Sequence, residues 1–157
     1  MELIAERRKW LDETAAAGGP HATASRSAAG SRKRLWAGRI MSGLVVLFLT
    51  FDAVVKLLKL PPVVEGTVRL GYPERVIFGL GVVLLLSVIA YVVPRTSILG
   101  AVLLTGYLGG AIATHVRVGD PLLSHTLFPI YVAMLLWGGL YLRDARLRTV
   151  LPLRARD

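Results

Sequence analysis

SILGAVLLTGYLGGAIATHV, Ser97 to Val116, runs twenty residues without a lysine, arginine, aspartate or glutamate. At about 1.5 Å per helical residue, about twenty apolar residues cross a hydrocarbon core of about 30 Å. Soluble strands average about 5–6 residues, and no turn signal breaks this run. In lipid a helix satisfies its own backbone groups, which an open strand cannot do. Just upstream, across a short turn at Pro94, lies VIFGLGVVLLLSVIAYVV, Val76 to Val93. Before that comes LWAGRIMSGLVVLFLTFDAVVKLLKL, Leu35 to Leu60, which Pro61 and Pro62 should stop. Downstream, a fourth run spans Leu122 to Leu142. Pro129 interrupts it, which predicts a kink there or a helix that starts near Leu127. The fold expected is all-α: an integral membrane four-helix transmembrane bundle over residues 35–154.

Composition agrees. The chain is 54% hydrophobic and 18% charged, whereas soluble domains sit near 45–50% and about 25%. A net charge of +9 raises the question of nucleic acid, but the basic residues cluster at the ends of apolar runs. They read as topology signals, with membrane lipid and no nucleic acid as the partner. The absence of cysteine excludes disulfides, thiol catalysis and cysteine-held zinc or iron–sulfur centres in this chain.

Residues 1–34 stand apart as a basic N-terminal extension, disordered or lying on the membrane surface. MELIAERRKWLDETAAA can form a short helix with Leu3, Ile4, Trp10 and Leu11 on one face. GGPHATASRSAAGSRKR then reads as a flexible linker. No apolar run near Met1 suggests an ordinary secretory signal peptide. Fourteen basic residues fall on the side of both termini and of Arg95, against five (Lys56, Lys59, Arg69, Arg75 and Arg117) on the other. The richer side is expected to be cytoplasmic. Trp36, Tyr91, Trp137 and Tyr141 fall near it, as an aromatic belt would.

Few residues suggest chemistry. Gly106 and Gly110 form a GxxxG spacing that Gly109 and Thr114 extend, a small-residue face suited to packing within the bundle or between two copies. Asp52 and Lys56 share a face of the first helix, either as a snorkelling pair or as a polar site turned into the bundle. His115 and His125 should reach the same side of the membrane. These four side chains form a candidate polar pocket that could relay protons or bind a quinone-like carbonyl, or they could be histidines exposed at the interface. No tight ligand spacing argues for a metal, and no cofactor is evident. Phosphate-binding loop, dinucleotide fingerprint and nucleophile elbow are all missing from the sequence.

The stretches GAVLLTGYLGGAIATHVRVGDP (Gly100–Pro121) and LWGGLYLRDARLRTVLPLR (Leu136–Arg154) resemble the DoxX-like membrane proteins. LFLTFDAVVKLLKLPPVVE (Leu47–Glu65), LGYPE (Leu70–Glu74) and YVVPRTSILGA (Tyr91–Ala101) fit the same pattern. The resemblance implies a small four-helix protein of the bacterial inner membrane. It further implies an accessory subunit of a membrane oxidoreductase complex, quinone-linked in some relatives, rather than a self-sufficient enzyme. The alternatives are a binder or transporter of a small molecule, lipid or quinone through an outward-facing polar pocket, and an enzyme using the same ionisable groups as acid and base. A homo-oligomer is compatible with each.

Overall fold

A computed structural model of the chain describes residues 4–10 and 20–150. It forms two compact units, residues 1–36 and 37–157. In the first unit, residues 4–10 are helical, with Ile4 and Trp10 exposed. Leu3, Leu11 and the rest of the expected surface face lie outside the described residues, as does the tail beyond Val150.

Helix α1 spans Pro20–Leu57. It begins inside the stretch expected to be a flexible linker, where the alanine, arginine and lysine content supports helix. Its membrane-crossing part is Ser31–Leu57. Helix α2, Pro61–Arg69, was not foreseen. Pro61 and Pro62 do end α1, but they also occupy the first turn of α2, where a fixed φ helps and a missing N–H costs nothing. A 3₁₀ turn, Glu74–Val76, leads into α3, Ile77–Val92. Val93 is extended ahead of Pro94, and Ser97 opens α4, Ser97–Val118. A π turn, Leu122–Thr126, precedes α5, Phe128–Arg143. Pro129 sits in the first turn of α5, so the proline marks the start of the helix and makes no kink. The short helix α6, Ala145–Val150, follows Asp144, whose Oδ1 accepts the Arg146 amide at 2.8 Å as an N-cap. No strand occurs among the described residues.

Four stretches are long and apolar enough to span a bilayer: Ser31–Leu57, Glu74–Val92, Ser97–Val118 and Leu122–Arg143. In the second unit, one stripe of each helix faces the core. Val45, Leu49 and Ala53 of α1 meet Leu84, Val88 and Tyr91 of α3, Leu104 and Leu108 of α4, and Val132, Leu136 and Leu140 of α5. The three- and four-residue spacing is that of a helix face. The opposite faces expose Leu47, Phe51, Leu86, Val102 and Met134. Such a surface would be an aggregation hazard in water and is the ordinary surface in lipid. The molecule is a multi-pass membrane protein with a four-helix bundle.

The end of the bundle that carries the 93–96 turn is closed by contact. A Cβ added at Gly100 would lie 2.2 Å from the Tyr91 nitrogen, and one at Gly139 would lie 2.9 Å from the Ser42 nitrogen. Tyr91 is not part of an interfacial belt: it is fully buried. Its hydroxyl donates to the Leu136 carbonyl at 3.0 Å and, its hydrogen being committed, accepts from Ser42 Oγ at 2.9 Å. The Arg143 guanidinium lies 4.7 Å from the Tyr91 ring centre and donates to the Tyr91 carbonyl at 3.2 Å.

Candidate functional site

The other end is held by caps and polar ties. Helix α4 terminates in a left-handed Gly119 (φ 75°), with the Asp120 amide donating back to His115 O at 3.1 Å and the Gly119 amide to Val116 O at 3.2 Å. This Schellman cap turns the chain so that Asp120 folds back beside His115. Helix α2 ends the same way at Gly71 (φ 85°), with the Tyr72 amide on Thr67 O at 3.2 Å. Helix α1 does so at Lys59 (φ 48°), where the Leu60 amide reaches Val55 O at 3.2 Å.

Those turns gather polar side chains from three helices. Asp52 and Lys56, one helical turn apart on α1, form an ion pair, with the Lys56 side chain 15% exposed and the Asp52 side chain 30%. Pairing offsets the cost of a carboxylate inside a span, and a cation in the last turn of α1 also suits the helix dipole. Thr114 Oγ1 donates to Gly110 O at 2.8 Å, so the Tyr72 hydroxyl is the donor in its 2.8 Å bond to Thr114. Arg117 donates to Leu70 O and Arg69 reaches Asp120 Oδ1 at 3.3 Å, which ties α2 to α4.

Asp120 also receives His115 Nδ1, at 2.6 Å from its Oδ2. The hydrogen bond from His115, helped by the charges of Arg69 and the two histidines, outweighs the upward push of burial and holds the Asp120 carboxyl below its ordinary range. Asp120 is therefore an acceptor at neutral pH, and His115 Nδ1 carries the proton. His115 Nε2 makes no hydrogen bond among the described residues. His125 lies close by, with ring centres 5.9 Å apart, and its Nδ1 bonds Ser124 Oγ at 2.8 Å.

Two cavities meet here. The first, about 300 Å³, is lined by Lys56, Thr67, Leu70, Tyr72, Leu80, Gly106, Tyr107, Gly110, Ala111, Thr114 and His115. The second, about 330 Å³, is lined by Val63, Gly66, Thr67, Arg69, Leu70, His115, Asp120 and His125. Thr67 and Leu70 of α2 and His115 of α4 belong to both.

Of the four side chains singled out in the sequence, Lys56 and His115 share the first cavity, and His115 and His125 share the second. Asp52 lines neither cavity and holds Lys56. Among the described residues the small-residue face of α4 makes no close helix contact: a Cβ at Gly106, Gly109 or Gly110 would meet none of their atoms within 4 Å. Gly106, Gly110 and Thr114 line the first cavity instead, together with Thr67 and Leu70 of α2 and Tyr72 of the loop that follows. Close approach is found at Gly38, Gly100 and Gly139, at the opposite end, and at Gly81, where α3 packs on Ala53, Lys56 and Leu57 of α1. Asp120, Arg69, Tyr72 and Tyr107 escaped the sequence reading. Arg69 and Asp120 lie fifty-one residues apart, and only the two helix caps bring them together. Among the described residues no group of three or more His, Asp or Glu side chains could hold a metal.

Residues 40–139 match the model of the DoxX-like family. No curated protein and no solved structure matches the chain.

Proposed function

The chain belongs to the DoxX-like family, and we propose that within this four-helix frame it binds a small amphiphile at the α2 end of the bundle, a lipid or quinone-like molecule rather than a water-soluble metabolite. The first cavity carries this reading. Its polar end presents Lys56, Tyr107 and His115, and its wall at Gly106 and Gly110 has nothing over it. A head group can be hydrogen-bonded at one end while a chain leaves between the glycines into lipid. Binding sites are commonly concave, mostly apolar and furnished with a few convergent polar groups, as here. The basic residues on the side of the termini support a cytoplasmic placement of both ends in the inner membrane, with the cavities opening on the far side. A periplasmic signal from a reporter fused after Arg95 would overturn that orientation.

Gly106→Leu tests the binding reading. The added side chain has room, so the melting temperature in mild detergent should not fall, and the amphiphile retained through purification, measured by mass spectrometry, should drop. Equal retention by Gly106→Leu and wild type rules out this entry route.

The bare Gly106–Gly109–Gly110 face favours a second reading, that of an accessory subunit in a membrane oxidoreductase complex or a homo-oligomer whose helix covers the groove. Gly106→Leu separates the two. Under this reading the variant loses a co-purified protein or a larger size in detergent, and its lipid content is unchanged.

A further inference from the structure

We propose that the amphiphile is a long-chain carboxylic acid, held as its carboxylate between Lys56, Tyr107 and His115; the inference rests on the binding reading above. The reason is the donor inventory of the first cavity. Lys56 Nζ gives one N–H to Asp52 and has two left. Tyr107 lines the cavity, and its hydroxyl makes no hydrogen bond among the described residues. The Tyr72 hydroxyl donates to Thr114 Oγ1, and Thr114 donates in turn to Gly110 O. What remains free is a set of donors with one convertible group, His115 Nε2.

A site rich in donors selects an acceptor-rich head, and a carboxylate has two oxygens with about four lone-pair positions and no donor. The fixed charges agree. Lys56 lines the first cavity and Arg69 and Asp120 the second, with Asp52 outside both linings and paired to Lys56, so no uncompensated anion faces the head group.

The proton balance closes within the site. The acid enters from lipid in its neutral form. Its O–H bond breaks as His115 Nε2–H forms, and the carboxylate stays paired with the imidazolium it has created. Asp120, already bonded to Nδ1 and anchored by Arg69, balances the new charge on the ring. Charge-assisted hydrogen bonds are about twice as strong as neutral ones. The tail leaves past Gly106 and Gly110, so chain length is weakly selected and the head strongly.

The test uses full-length protein in phosphatidylcholine bilayers with spin-labelled stearic acid, its methyl ester, and spin-labelled phosphatidylcholine as reference. The protein-immobilised fraction is read by electron paramagnetic resonance. The acid should be preferred over the ester by about ten-fold, the scale of one charge-assisted hydrogen bond, and unlabelled palmitate should displace it. His115→Gln should abolish the preference. Lys56→Met alone would strand Asp52, so the paired change Asp52→Asn with Lys56→Met, which leaves the net charge of the site unchanged, is the second variant and should also lose it. Equal, saturable retention of acid and ester overturns the carboxylate assignment and leaves the amphiphile reading standing. Retention of neither above phosphatidylcholine overturns both. An acid preference unchanged in both variants moves the carboxylate site away from this cavity and overturns the assignment.

Discussion

At the turn end, Gly100 and Gly139 stand where a Cβ would come within 2.2 and 2.9 Å of backbone nitrogen atoms, and at the α2 end Gly106 and Gly110 have nothing within 4 Å. The same residue type thus serves opposite purposes in one helix, α4. At Gly100 it lets the α3–α4 hairpin close. At Gly106 and Gly110, some nine to fifteen Å further along at ~1.5 Å per residue, it leaves a groove. The tyrosines repeat the contrast. Tyr91 is fully buried, with its hydroxyl bonded to Leu136 O and Ser42, while Tyr107 is half-buried and lines a cavity. One end is filled to backbone contact, while at the other a face of α4 is left uncovered beside a cavity.

The largest effect should come from filling the closed end. Gly100→Ala drives a Cβ into backbone, which cannot yield as a flexible side chain can. A loss of about 3 kcal/mol or more is expected, seen as a large drop in melting temperature or failure to accumulate. Gly110→Ala at the open end should leave the melting temperature unchanged or slightly higher, since alanine is the better helix former. Equal losses at the two positions would mean that a partner covers the groove and that the contrast belongs to the isolated chain alone.

Next in size is the tyrosine pair. Tyr91→Phe leaves the buried Ser42 hydroxyl and Leu136 carbonyl without their partner, a cost of about 1–3 kcal/mol. Tyr72→Phe leaves Thr114 still bonded to Gly110 O, in a less buried setting, and should cost under about 1 kcal/mol. Denaturation in detergent would rank them, and a larger loss for Tyr72→Phe would reverse the assignment of which end holds the bundle together.

The four spans were legible because membrane length and apolarity leave few alternatives for such runs. Helix α2 was not, since Pro61–Pro62 carries two meanings, a stop for one helix and the first turn of the next. The glycines show a second limit. GxxxG spacing tells that a helix face is small, but whether the space is filled by a neighbour or left as a cavity is not set by the spacing. The polar residues show a third. Asp52 and Lys56 are neighbours by helical period, so their pairing was readable. The Arg69–Asp120–His115 tie depends on two left-handed caps, whose dihedrals no spacing rule supplies.

That tie gives the smallest and most local effect. Asp120 lies outside the spans and titrates below its ordinary value in the folded chain, so the unfolded or detached state, with a carboxyl near about 3.9, takes up a proton first as the pH falls. A group depressed in this way contributes stability that is fully present above its unfolded value and is lost as the pH drops through its folded value. The α2 attachment should therefore be indifferent to this group from pH 7 to about 5 and should weaken only below about 4. A fluorescent label on a cysteine introduced at the exposed Glu65 would report it, through a change in anisotropy as α2 loosens. In Asp120→Asn the label should be slightly more mobile already at pH 7, because Arg69 and His115 lose their common acceptor, and the step below pH 4 should vanish. If the acid step survives in Asp120→Asn, the loosening belongs to another carboxyl, with Glu74 on its exposed pair with Lys59 the next to test.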